Sequence, residues 1–164
     1  MDDSQNGQYS RTPVLEDVIS ICDSLNKAGV KYIVIGGIAV IFHGFGRGTK
    51  DIDLLVETSD ENVRRIKKAL SILPDNAISQ IKDDEVRQYS VLRVADEVVI
   101  DLMAKACGID YQEAEQGIEW RNLQGVKIPI VNKKFLIKMK NTIRPSDKMD
   151  VDFLKAEIEA ERKK

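Results

Sequence analysis

The sequence predicts an α/β (α+β) fold, a small mixed β-sheet flanked by helices, as one domain over residues 13–164. Three observations carry this. The short apolar runs VKYIVI (30–35), DIDLLVE (51–57) and VVIDLM (98–103) have the length and β-branched composition of strands. Other segments repeat apolar residues at three- and four-residue spacing, the period of a helix with one buried face. One pair of apolar runs is joined only by Ala95-Asp96-Glu97, which is too short for a helical crossover and predicts an antiparallel hairpin beside any parallel pairs.

Residues 1–12 are polar and are expected to be mobile. Pro13 suits a helix start, followed by Val14, Leu15, Val18, Ile19, Cys22 and Leu25 at helical spacing, with Gly29 as the stop. The run 30–35 then enters Gly36-Gly37, and Ile38 to Phe42 suit a short buried helix. HGFGRGTK (43–50), with three glycines and two cations, is a loop that leads into the strand 51–57. Ser59 or Asp60 can cap a helix running to Leu73, before Pro74. Strands are expected at 86–94 and 98–103, a helix from Asp110 to Gly117, and a hairpin about Gln124-Gly125. Asn132 caps a helix carrying Phe135, Leu136, Ile137 and Met139, and a last helix begins after Pro145.

Composition narrows the function. A chain of 164 residues can bury a stable core without staples. With 25 basic against 27 acidic side chains it lacks the bulk charge of a dedicated nucleic-acid binder, although a local basic face would suffice. Cys22 and Cys107 lie far apart among apolar neighbours and read as buried free thiols, so neither a disulfide framework nor a zinc site is expected. No apolar run reaches membrane-spanning length and the start has no signal-peptide pattern, so a cytoplasmic location without membrane association is expected.

Chemistry is expected at three carboxylates. Asp51 and Asp53, two apart in a strand, project from the same face while Ile52 faces the core. Adjacent like charges repel unless a cation neutralises them, and hard oxygen donors suit Mg2+ or Mn2+. Asp101 follows the apolar run Val98-Val99-Ile100 and joins the pair if the two strands are neighbours. The Gly36-Gly37 turn, between strand and helix, offers backbone N–H groups to an anion such as a triphosphate. Asp101 is placed to act as base toward an incoming hydroxyl.

The order Gly-Gly, Arg-x-Thr-x-Asp-x-Asp and a later strand-borne Asp resembles the polymerase-β-type nucleotidyltransferase superfamily. Within it, IGGIAVIFHGFGRGTKDIDLLVE (35–57) resembles the small AbiEii-like, abortive-infection toxin-like group. The likeness is specific over residues 30–57 and looser beyond Asp101. It implies a nucleotidyltransferase-like fold and a transferase moving an NMP from an NTP to a hydroxyl of RNA such as tRNA, a small molecule or a protein. It also implies an antitoxin partner. By resemblance, Gly36 and Gly37 hold the nucleotide, and Asp51, Asp53 and Asp101 are the catalytic and metal-binding triad. Lys138 or Lys140 supplies a helix-borne lysine, with Arg144, Asp147 and Asp150 near it. Gly37 stands where many superfamily members carry serine, which leaves an inactive nucleotide- or partner-binding module as the alternative.

Arg47 and Lys50, flanking Thr49, either reach nucleotide phosphates or acceptor or belong to a solvated loop; Thr49 is assigned with Arg47 to nucleotide binding. His43 suits the end of its helix or a packed position at the turn, and Trp120 and Tyr111 read as core residues rather than base-stacking platforms.

Overall fold

The computed structural model describes residues 10–164, so most of the segment expected to be mobile lies outside the described residues. Helix α1 is Leu15–Lys27, with Asp17 in its first turn accepting from the Val14 N–H at 2.7 Å. Strand β1 (Tyr32–Ile35) runs straight into α2 (Gly36–Phe42), and the glycine loop leads to β2 (Asp51–Val56). Ser59 caps α3 (Asp60–Leu70), as its hydroxyl accepts from the Asn62 N–H. That helix stops three residues short of the expected Leu73.

The region 86–94 differs from the expected strand. Glu85–Gln88 forms a single helical turn, α4, and drives Val86 into the core; β3 is only Leu92–Ala95. The hairpin partner β4 (Val99–Met103) follows as expected. Buried Asp96 holds the turn, accepting from the backbone N–H groups of Asp75, Ala77 and Glu97. Ser10 and Arg11 also lie against this turn: the Ser10 hydroxyl donates to the Asp96 carbonyl, and the Arg11 N–H donates to that of Glu97.

A two-stranded ribbon, β5 (Lys105–Ala106) with β6 (Ile109–Asp110), precedes α5 (Tyr111–Ala114). The hairpin β7 (Ile118–Leu123) and β8 (Val126–Val131) turns at Gln124-Gly125, both with positive φ. Asn132 caps α6 (Lys133–Met139) by accepting from the Phe135 N–H, and α7 is Pro145–Arg162.

The main sheet has the order β3-β4-β2-β1-β8-β7. β2 runs parallel to β4 and β8 parallel to β1, while β1–β2, β3–β4 and β7–β8 are antiparallel. The mixed sheet flanked by helices is therefore as expected. Its interior residues Ile33, Ile52, Leu54, Leu55, Ile100, Leu102, Ile128 and Ile130 are fully buried with Ile21, Leu25, Ile66 and Leu70 from α1 and α3. Among the described residues no helix is long and apolar enough to cross a membrane.

Two core expectations fail. Cys22 is buried, but Cys107 is exposed, because it sits at φ +47° in the β5–β6 turn rather than on a helix. Trp120 is 61% exposed, because β7 is an edge strand and its outer face has no covering layer; Tyr111 is buried as expected.

Candidate active site

The parallel pairing of β2 and β4 aligns Asp53 with Asp101, and the pleat puts Asp51 on the same face as Asp53. One oxygen from each of these three carboxylates lies within 4.8 Å of the others. On its other side Asp53 pairs with Ile35, the last residue of β1, so Gly36 stands directly against its side chain. A Cβ on Gly36 would lie 2.0 Å from Asp53 Oδ2, and the residue also has φ +66°. Glycine is required there because the Asp53 carboxylate fills the space of a side chain.

Crowding has an electrostatic result. Burial, then repulsion from Asp51 and Asp101, pushes the Asp53 carboxyl up to about 7. Asp51 is raised as well, first by burial and then by Asp101. Three hard oxygen donors held this close match the needs of a divalent cation such as Mg2+ or Mn2+.

One counter-charge at the cluster was not legible as a site residue. Arg93, directly opposite Asp101 in β3, donates from Nε to Asp101 Oδ1 and from Nη2 to Oδ2, each at 3.0 Å. Its Nη2 also reaches Asp51 Oδ2 at 3.2 Å. The turn is Asp96-Glu97-Val98, with Ala95 opposite Val99, so residue 93 pairs with 101; the turn expected from the sequence, Ala95-Asp96-Glu97, would have set Arg93 opposite Val99.

Around the acids lie three cavities. A polar one of about 340 Å³ is lined by Gly37, Thr49, Asp51 and Asp53 and by the cations Arg47, Lys50, Lys140 and Arg144. A second, of about 310 Å³, shares Asp53, Lys140 and Arg144, adds Gly36, and has apolar walls of Val91, Met103, Ala106, Leu136 and Met139. A third, of about 390 Å³, lies between Asp51, Arg93, Lys50 and Arg11. A larger cavity, about 490 Å³, lies between α6 and α7 and contains none of the three acids.

The cations of the polar cavity are held from behind. Arg47 forks onto Asp150, Nε to Oδ1 at 2.9 Å and Nη2 to Oδ2 at 2.7 Å. Lys140 Nζ lies 2.8 Å from Asp150 Oδ2 and 3.4 Å from Asp147 Oδ1, and Thr142 Oγ1 donates to Asp147 Oδ2. Burial alone would raise Asp150, but its bonds to Arg47 and Lys140 hold it below the usual carboxylate range. Lys50 makes no ion pair among the described residues.

The structure therefore brings together Gly36, Gly37, Arg47, Thr49, Asp51, Asp53 and Asp101 of the expected set. Lys138 is elsewhere: it lies over the Phe135 ring and lines the large cavity, whereas Lys140 reaches the acids' side. Residues two apart on a helix face opposite ways, so only one of the two lysines can serve this site. α2 has only seven residues, which makes its dipole short, so positive charge at the cavity comes chiefly from side chains. His43 ends α2 with its Nε2 2.8 Å from the Val131 carbonyl; burial lowers its pKa, and Nδ1 makes no hydrogen bond and lies 4.0 Å from Glu119 Oε2.

No protein-family model and no curated protein matches the chain. Solved structures are similar in shape. A lincosamide antibiotic adenylyltransferase, LnuA, solved with lincomycin bound, superimposes with a TM-score of 0.56 at 16% identity, over 88% of this chain and 98% of that one. A candidate nucleotidyltransferase from Thermotoga maritima gives 0.51 at 16% identity, over 74% of this chain and 78% of that one. An antigenic nucleotidyltransferase-like protein from Paracoccidioides brasiliensis gives 0.52 at 15% identity, over 98% of this chain and 78% of that one. The chain has the nucleotidyltransferase fold. At such identities the likeness extends to the fold alone.

Proposed function

We propose that this chain is a metal-dependent nucleotidyltransferase that moves an NMP from an NTP to a hydroxyl acceptor. The observation that carries this is the convergence of Asp51, Asp53 and Asp101 beside Gly36, at the edge of a cation-lined cavity, on a nucleotidyltransferase fold. In this reading Asp51 and Asp53, with Asp101, hold Mg2+ or Mn2+. Bound there, the ion would neutralise phosphate charge and stabilise departing pyrophosphate.

The remaining work falls to the chain's own side chains. Lys50, Lys140 and Arg144 attract the triphosphate into the polar cavity, whose wall includes Gly37 and the Thr49 hydroxyl packed against it. The apolar-walled cavity on the other side of Asp53 suits a nucleobase. The acceptor oxygen attacks the α-phosphorus, the bond from the α-phosphorus to its bridging oxygen breaks, pyrophosphate leaves, and the hydroxyl proton passes to Asp101.

Gly37 in place of serine is the feature that favours an inactive module. Against this, Thr49 Oγ1 lies 2.6 Å from where a Cβ of residue 37 would stand, so the loop supplies a hydroxyl at that place. The AbiEii-like assignment, a toxin role with an antitoxin partner, and RNA such as tRNA as acceptor rest on the string 35–57. The shape likeness to an antibiotic adenylyltransferase supports a small-molecule acceptor equally.

The test is pyrophosphate release from each of the four NTPs with Mg2+ and total cell RNA, comparing the natural chain with Asp53→Asn. Release that disappears in the variant supports the proposal, and labelled NTP then identifies the acceptor. Mg-NTP binding without release under any acceptor condition favours the inactive module, and no binding refutes the site.

A further inference from the structure

β3 is an edge strand, and its one cation at the acid cluster is Arg93. The guanidinium takes both oxygens of Asp101 and one of Asp51, so a single side chain bridges two of the three carboxylates. Asp53 is outside its reach and has no hydrogen-bonded cation among the described residues. The fork on Asp101 is bidentate and charge-assisted, the strong form of such a bond. Yet the Arg93 side chain is 60% exposed, whereas that of Asp101 is 5% exposed. Arginine can therefore return to water at little desolvation cost, while the aspartate cannot follow it.

A divalent cation on the triad needs the same oxygen lone pairs that Arg93 occupies, and its charge repels the guanidinium. Resting on the metal-dependent reading of the triad, we infer that Arg93 is a built-in counter-cation: it holds the acid cluster together in the metal-free chain and is displaced when metal binds. Metal affinity is then set by a competition within the protein. The displaced guanidinium remains on β3, beside the cavity shared by Asp51, Lys50 and Arg11, where its charge becomes available to an anionic group of an entering acceptor.

The experiment titrates Mn2+ alone, without nucleotide, against the natural chain, Arg93→Gln, Arg93→Lys and Asp53→Asn, following free Mn2+ by electron paramagnetic resonance. Arg93→Gln should bind Mn2+ roughly tenfold tighter, the low end of what charge-assisted bonds from an exposed guanidinium contribute. Arg93→Lys, which keeps charge but loses the fork, should be tighter by a smaller factor and serves if the glutamine variant does not fold. Without metal, Arg93→Gln should melt below the natural chain, with Mn2+ raising its Tm by more. Equal or weaker Mn2+ binding by both Arg93 variants, with binding to the natural chain intact and lost in Asp53→Asn, overturns the inference and leaves the metal site standing. If the natural chain and both Arg93 variants are folded and none binds Mn2+, the metal reading falls and the inference with it.

Discussion

Replacing Gly36 with alanine tests the central geometric claim, that the Asp53 carboxylate occupies the place of a side chain. Two costs add. Residue 36 has φ +66°, where an L side chain costs about 1–2 kcal/mol. The new methyl would stand 2.0 Å from Asp53 Oδ2 and 2.8 Å from its Cβ, an overlap that must be relieved by moving the aspartate or the β1–α2 junction. Such overpacking costs about 1–3 kcal/mol. The sum, about 2–5 kcal/mol, lowers Tm by roughly 5–15 °C in a domain of this size. Thermal melting followed by circular dichroism reads the first effect, and Mn2+ titration the second, since displaced Asp53 oxygens leave the triad. Gly46→Ala is the control, because a Cβ there meets nothing within 4 Å and φ is not positive. A Gly36→Ala protein that melts within a degree or two of the natural chain and binds Mn2+ equally well would falsify the packing account of the site.

The Asp53 carboxyl, at about 7 in the fold against ~3.9 unfolded, binds more protons in the native state across that interval, so it makes metal-free stability fall as pH rises from about 4 through 7. Asp53→Asn should remove that fall and melt higher than the natural chain at pH 8, and Mn2+ should stabilise the natural chain at pH 8 more than at pH 5.5; melts at the two pH values decide it. Arg47→Ala leaves Asp150, 1% exposed, with Lys140 as its remaining partner, and is expected to cost about 2–3 kcal/mol in urea unfolding. Adding Asp150→Asn should recover part of that loss, whereas additive losses would mean that the Arg47 fork carries no coupling energy.

The acids and the glycine turn were legible because their evidence is local. A two-residue spacing in a strand fixes the shared face of Asp51 and Asp53, and the apolar run before Asp101 marks a central strand. Arg93 was not, because its role depends on hairpin register, and residues 86–94 read as one strand. The chain instead spends 85–88 in a helical turn, and β3 begins only at Leu92. Trp120 was misread because burial of a β7 residue depends on whether anything covers the edge of the sheet, which no local pattern states. Lys138 and Lys140 are separated by how α6 is rotated against α2 and α7, a tertiary property that a stripe of Phe135, Leu136 and Met139 defines only loosely.

Asp147 and Asp150 show why counting acids is a poor guide to the site and why their counter-charges decide. Asp150 is as deeply buried as any carboxylate among the described residues, yet Arg47 and Lys140 satisfy both of its oxygens and hold its pKa below the usual range. Asp147 is likewise bonded by Thr142 and Lys140. These two acids are anchors: they hold cations at the wall of the polar cavity. Asp53 has the opposite environment, with burial and two like charges at close range and no cation bonded to it, and its carboxyl rises to about 7. A fold retains such a group at a cost in its own stability, and Gly36 shows that the backbone is shaped around it. The unbalanced charge is therefore concentrated at Asp53, and an added cation would gain most there.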